Sequence, residues 1–147
     1  MIAFYKTVVL NYLLKNGDAH LKNFGLLFDD DFKNIFYSPV YDVVNTVVYI
    51  YKDKPALMLE GKKIWHSKDT LIKFGQKSCL LKESEAKVYY RECFDALVWI
   101  IGELESYLAK NSHFRVGKMM LDSWRLSMEE KSVKELGHDT IRTWKNY

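Results

Sequence analysis

An aspartate and an asparagine five residues apart in one polar loop carry groups that phosphoryl transfer needs. They are Asp18 and Asn23 of Asn16-Gly17-Asp18-Ala19-His20-Leu21-Lys22-Asn23. The carboxylate can take the proton of an acceptor hydroxyl, and the amide oxygen can sit on a magnesium ion. His20 can hydrogen-bond a transferring phosphate or the loop carbonyls, and Lys22 adds positive charge beside them. A second acidic residue must hold the metal between the phosphates. Asp42 stands beyond a turn, in Ser38-Pro39-Val40-Tyr41-Asp42-Val43-Val44-Asn45-Thr46. Magnesium takes one or two carboxylates, an amide or water oxygens, and substrate phosphates, so Asp18, Asn23 and Asp42 are chemically sufficient on the protein side. The competing reading is a polar connection in which Asp18 and Asp42 cap and Asn23 turns.

These residues need elements to position them. Phe4, Tyr5, Val8, Val9, Tyr12 and Leu13 recur at helical spacing, which predicts a deeply buried helix over 2–15, ended by Asn16-Gly17 with the glycine left-handed. A short buried strand is expected over 24–28, a turn at Asp29-Asp30-Asp31, and a second strand over 34–37. Residues 47–51 and 56–59 also read as strands. Ser67 can cap a short helix over 68–74, which Gly75 would stop. The clearest periodic segment is 83–110, where Ala86, Tyr90, Cys93, Leu97, Ile100, Leu104 and Leu108 alternate at threes and fours. A last helix is expected over 116–136. Short strands early and helices late give an α+β class with a mainly helical body.

The 147 residues suit one domain, and 48% hydrophobic with 28% charged residues excludes disorder. A net charge of +3 is too mild to argue for nucleic acid, and direct nucleic-acid binding is not expected. No apolar run approaches the roughly 20 residues of a membrane span, and the first residues lack a secretory signal, so a cytoplasmic location is expected. Cys79 and Cys93 have no zinc or disulfide spacing and suit a reducing compartment.

Taken together, the run from Val8 through Asn16-Gly17-Asp18-Ala19-His20-Leu21-Lys22-Asn23, with Ser38-Pro39-Val40-Tyr41-Asp42 and Thr46, closely resembles the HipA-like serine/threonine kinases. The resemblance covers nearly all of residues 1–147. It implies a protein-kinase-like C-terminal lobe with a short β-hairpin beside the catalytic loop. It implies Asp18 as catalytic base, Asn23 and Asp42 as magnesium ligands that also hold ATP, His20 shaping the loop, and Lys22 as a further catalytic candidate. In that family the kinase is the toxin of a bacterial toxin–antitoxin pair and phosphorylates a cytoplasmic protein, aminoacyl-tRNA synthetases among the known targets. Ordinary protein kinases have a glycine after the metal aspartate, whereas Val43 follows Asp42 here.

A complete kinase also has a nucleotide lid. Only some fifteen residues precede the loop, and no glycine-rich phosphate loop is present, so the resemblance implies the C-terminal lobe without its N-terminal partner. The expected partners are then a protein substrate, an antitoxin or a complementing N-lobe chain, with self-association through uncovered apolar surface. The alternative is a non-catalytic remnant that binds such a partner. A third reading keeps the loop but phosphorylates a small molecule, although Lys22 stands where small-molecule kinases place a proline.

Other features carry less. Asp29-Asp30-Asp31 lacks the remaining ligands of a calcium loop, since Lys33 and Val40 fall at ligand positions. His66, His113 and His138 sit in separate segments without zinc spacing. Met119, Met120, Met128 and Trp124 read as core, Trp144 as core or anchor, and the lysines of 52–73 as a hydrated surface before a groove for an acidic peptide or nucleic acid.

Overall fold

A computed structural model describes residues 1–50 and 52–129. Four helices, α1 (Ile2–Leu13), α2 (Lys68–Cys79), α3 (Glu83–Lys110) and α4 (Arg115–Met128), form the body. A two-stranded antiparallel hairpin, β1 (Leu26–Phe28) and β2 (Ile35–Tyr37), lies between α1 and the rest, with Leu27 opposite Phe36. The α+β class and the helical majority agree with the sequence.

Helix α1 is the centre of the core because its apolar stripe is wide enough to meet three helices at once. Tyr5, Val8, Val9, Tyr12 and Leu13 are all buried. Tyr5 is fully enclosed, and its hydroxyl donates to the carbonyl of Ala86 on α3 at 3.1 Å. Burial, foremost, holds that phenol well above its ordinary pKa. Helix α3 has the expected bounds and buries Ala86, Tyr90, Cys93 and Leu97. Beyond Leu97 the buried positions are Ile101 and the expected Leu108, and Ile100 is exposed. Both cysteines are buried free thiols. On α4 Trp124 is buried, and its indole N–H donates to the carbonyl of Leu14, which locks the end of α1. The expected continuation of α4 over 130–136, and Trp144 and His138, lie outside the described residues.

Several local expectations fail for identifiable reasons. Gly75 does not stop α2, which runs through it to Cys79 and ends on left-handed Leu80. The glycine is there for contact: a Cβ would stand 2.8 Å from a Tyr5 ring carbon and 3.1 Å from the Ala86 Cβ. At the end of α1 the left-handed residue is Lys15 (φ 58), and Gly17 serves a different purpose described below. The segments expected as strands over 47–51 and 56–59 form a 3₁₀ turn at Thr46–Val48 and one isolated antiparallel bridge, Leu59 to Lys62. Thr46 gives its N–H to the carbonyl of Lys15, so this backbone is committed to the end of α1 rather than to a ladder. Residue 51 is outside the described residues.

The hairpin is correctly located but is not buried. Leu26, Leu27, Phe28, Ile35 and Phe36 are each at least half exposed. A two-stranded sheet buries a face only where another layer covers it, and none of the described helices does. Its base is held by Phe24 and Tyr37, whose rings meet Phe4 edge-on at 5.7 and 6.0 Å. Its tip is a solvated turn in which the Asp29 carboxylate accepts from the backbone N–H groups of Lys33 and Asn34. None of the described helices is long and apolar enough to cross a membrane.

Candidate active site

The loop from Asn16 to Asn23 leaves the C-terminal end of α1 and closes on itself. The N–H of His20 donates to the carbonyl of Asp18 at 2.7 Å, and the N–H of Asn23 to the carbonyl of His20 at 2.9 Å. These bonds make a tight turn that ends in a short 3₁₀ segment, Leu21–Asn23. Asp18 projects at the surface, Asn23 is buried, and His20 lies between these extremes. The second loop, Pro39 to Asn45, returns from the hairpin. Asp42 there adopts a left-handed backbone (φ 56), a conformation aspartate tolerates better than β-branched residues do.

The two loops meet at Asn23 and Asp42. The side-chain amide N–H of Asn23 donates to the Asp42 carboxylate at 2.8 Å. That bond fixes the orientation of the amide and leaves Asn23 Oδ1 buried with no hydrogen-bond partner. A buried orphan acceptor is costly unless something fills it. An amide oxygen beside a carboxylate is the donor set of a hard divalent cation, so these two side chains fit magnesium. Tyr41 reinforces the junction by donating its hydroxyl to the carbonyl of Lys22. Lys22 therefore contributes its backbone to the junction, while its side chain is exposed. The Nδ1 of His20 is buried without a partner. No cluster of three or more metal-binding His, Cys, Asp or Glu side chains occurs among the described residues.

Four residues that the chemical reading did not single out hold this arrangement. Asn16 is almost wholly buried and touches everything: its amide N–H donates to Asn11 Oδ1 on α1 at 2.8 Å and approaches the Asp42 carbonyl, while its oxygen accepts from the Asp18 N–H. Thr46, noted only as part of the family resemblance, accepts the Gly17 N–H at 2.7 Å. Its own proton goes to the carboxylate of Asp53, the stronger of two acceptors in reach, since the nearby Lys15 carbonyl already has the Thr46 N–H. Gly17 has no room for a side chain, because a Cβ would collide with the Asp53 carboxylate and the Thr46 hydroxyl. Asn45 reaches across to Ser123 on α4 at 2.6 Å. An asparagine at a helix end announces a cap in any sequence; only the fold shows which of them bridges two loops.

Lys15 completes the support. It is a lysine with only 7% of its surface exposed, and its ammonium lies 5.0 Å over the Trp65 ring. Burial pushes its pKa down to about 8. Trp65 in turn donates its indole N–H to the carbonyl of Asp53 at 3.0 Å.

Comparison with known proteins now decides the family. The profile of the HipA-like C-terminal domain matches residues 1–99, two thirds of the chain. The chain belongs to the HipA-like C-terminal domain family. Both loops and the hairpin between them fall inside the matched stretch. Two curated relatives of Sinorhizobium fredii (strain NBRC 101917 / NGR234) are similar over part of this HipA-like chain. The protein named "Putative kinase Y4dM" is 36% identical over 78 residues, which are 51% of this chain and 19% of the relative. The protein named "Putative kinase Y4mE" is 36% identical over 56 residues, 38% of this chain and 13% of the relative. The HipA-like chain thus corresponds to a small part of each.

Replacing Thr46 by valine strands the Gly17 N–H and the Asp53 carboxylate together. Thr46→Val is expected to cost about 2 kcal/mol, read by chemical denaturation, and to shift the Gly17 amide resonance. For Lys15, the drop from an ordinary 10.5 to about 8 corresponds to roughly 3 kcal/mol against folding at neutral pH. The penalty is absent above 10.5, grows as pH falls towards 8, and is constant below. Lys15→Met is therefore expected to stabilise by up to about 3 kcal/mol at pH 7, with the difference in Tm from the parent shrinking between pH 8 and 10.5.

Proposed function

We propose that this chain is the catalytic lobe of a HipA-like, ATP-dependent serine/threonine protein kinase, the toxin of a bacterial toxin–antitoxin pair acting in the cytoplasm. The single observation that carries the reading is the junction of Asn23 with Asp42, which leaves one amide oxygen unpaired beside a carboxylate. Asp18 stands at the surface of the same loop, where an acceptor hydroxyl can reach it. In the proposed reaction the hydroxyl oxygen of serine or threonine bonds to the γ-phosphorus of ATP and the bond to ADP breaks. The hydroxyl proton passes to the Asp18 carboxylate. Asn23 and Asp42 would hold magnesium, which neutralises the charge of the phosphates. His20 and Lys22 keep the turn in shape and the local charge positive.

Positioning supplies most of the acceleration in this reaction class, and phosphates held on one wall only are poorly positioned. We therefore expect the 147-residue chain to bind Mg–ATP weakly and to turn over far below the usual range of about 1–100 per second until a complementing lobe is supplied. Mg–ADP is expected to shift the side-chain amide resonance of Asn23, and Asn23→Ala or Asp42→Ala to abolish magnesium dependence. With the second lobe present, Asp18→Asn is expected to lower kcat by about 100-fold or more. An Asn23 resonance indifferent to Mg–ADP would sink the reading.

A second reading, a non-catalytic module that binds an antitoxin-like or complementing protein, is favoured by one observation: the hairpin exposes Leu26, Leu27, Phe28, Ile35 and Phe36 together. Such a patch calls for a cover. The isolated chain is expected to self-associate in sedimentation, and Leu27→Lys with Phe36→Glu to return it to monomer. A clean monomer for the parent chain would count against any partner on this face.

A further inference from the structure

A cavity of about 200 Å3 lies against the underside of the active-site loop, almost entirely apolar in its lining. Its walls come from Tyr12 on α1, Ala19 and Leu21 of the loop, Met58 and Leu59 of the following segment, and Phe74 on α2. It is not a closed packing defect, since Leu21 and Met58 are 74% and 67% exposed at its edge. An apolar cavity of about 150 Å3 takes a benzene ring, so this one is large enough for a leucine, methionine or phenylalanine side chain. The hydroxyl of Tyr12 is buried without a hydrogen-bond partner, so one unmet donor stands in the lining residues.

The cavity's place narrows the occupant. Ala19 and Leu21 flank His20, and Ala19 directly follows Asp18 in the chain, so whatever fills the cavity lies within a few residues' reach of the group that would take the acceptor proton. The surrounding charge narrows it further. Lys22 adjoins Leu21, Lys54 adjoins Pro55 of the lining, and Lys62 is bridged to Leu59; all three are exposed, and none has a carboxylate partner among the described residues. Of the acidic neighbours, Glu60 is already paired with Lys77 at 3.8 Å, and Asp18, which adjoins Ala19, is the group that would take the acceptor proton.

We propose that this cavity is a specificity pocket for the protein substrate: it takes one bulky apolar side chain next to the phosphoacceptor serine or threonine, in a segment whose flanking residues are acidic. This deepens the kinase reading and rests on it. The apolar anchor gives affinity by leaving water, the lysines select acidic flanks, and the Tyr12 hydroxyl can give its hydrogen bond to a substrate carbonyl.

The test uses the full 147-residue chain carrying 13C-methyl methionine, with eight-residue peptides as probes. Each peptide holds one serine, glutamates at its flanks, and a leucine one, two or three positions from the serine. At one spacing at least, the leucine peptide is expected to bind about tenfold or more tightly than its alanine counterpart, to shift the Met58 methyl signal, and to lose that advantage when the glutamates become lysines. Equal affinity at every spacing, or shifts confined to Met119, Met120 and Met128 on α4, would overturn the proposal. Met58→Glu, outside the catalytic loop, is expected to remove the leucine preference, read by calorimetry, while the response of Asn23 to Mg–ADP is kept. Free indole that fills the cavity without weakening the leucine peptide would also overturn it. The two readings separate cleanly: loss of the Asn23 response with the leucine preference intact removes the kinase and leaves a peptide pocket, and the reverse removes the pocket alone.

Discussion

Two loops with a hairpin between them must be held in contact, and everything chemical in this protein depends on that constraint. The Thr46 hydroxyl is where it is met. One oxygen accepts from Gly17 in the first loop and donates to Asp53 in the segment after the second. The same residue's N–H returns to Lys15 at the end of α1. Because a hydroxyl both gives and takes, a single small side chain joins the helix end, the first loop and the second. Asn16 does the same on the other side with an amide. Asn23 and Asp42 need only a local bond to each other once these braces are in place.

The braces stand on an asymmetric foundation. Helices α1 to α4 bury a continuous apolar core, and Trp124 and Ser123 of α4 grip the end of α1 and the second loop respectively. The hairpin has no such backing from the described helices and is fastened mainly at its base. The protein is thus closely packed beneath the site and apolar beside it.

Lys15 shows how stability is surrendered to geometry. A left-handed backbone and a buried ammonium are both unfavourable, and Trp65 offsets only part of the electrostatic cost. What the fold obtains is a sharp exit from α1 whose carbonyl faces Thr46. The lysine, its tryptophan and Asp53 form one connected support.

Much of this was legible in the residues themselves. Helix α3 could be bounded to the residue because 28 residues of amphipathic period leave no competing structure, and the meeting of Asn23 with Asp42 was foreshadowed by their chemistry and order. What the linear pattern could not settle were features decided by contacts distant in sequence. Gly75 reads as a helix stop until Tyr5 is seen pressed on it, and the 24–28 run reads as buried until none of the described helices is found above it. Lys15 rather than glycine turns left-handed because Gly17 is needed bare against Asp53. Periodicity and side-chain chemistry are local and survive in one dimension; burial, close approach and the choice among competing hydrogen-bond acceptors exist only once remote segments meet.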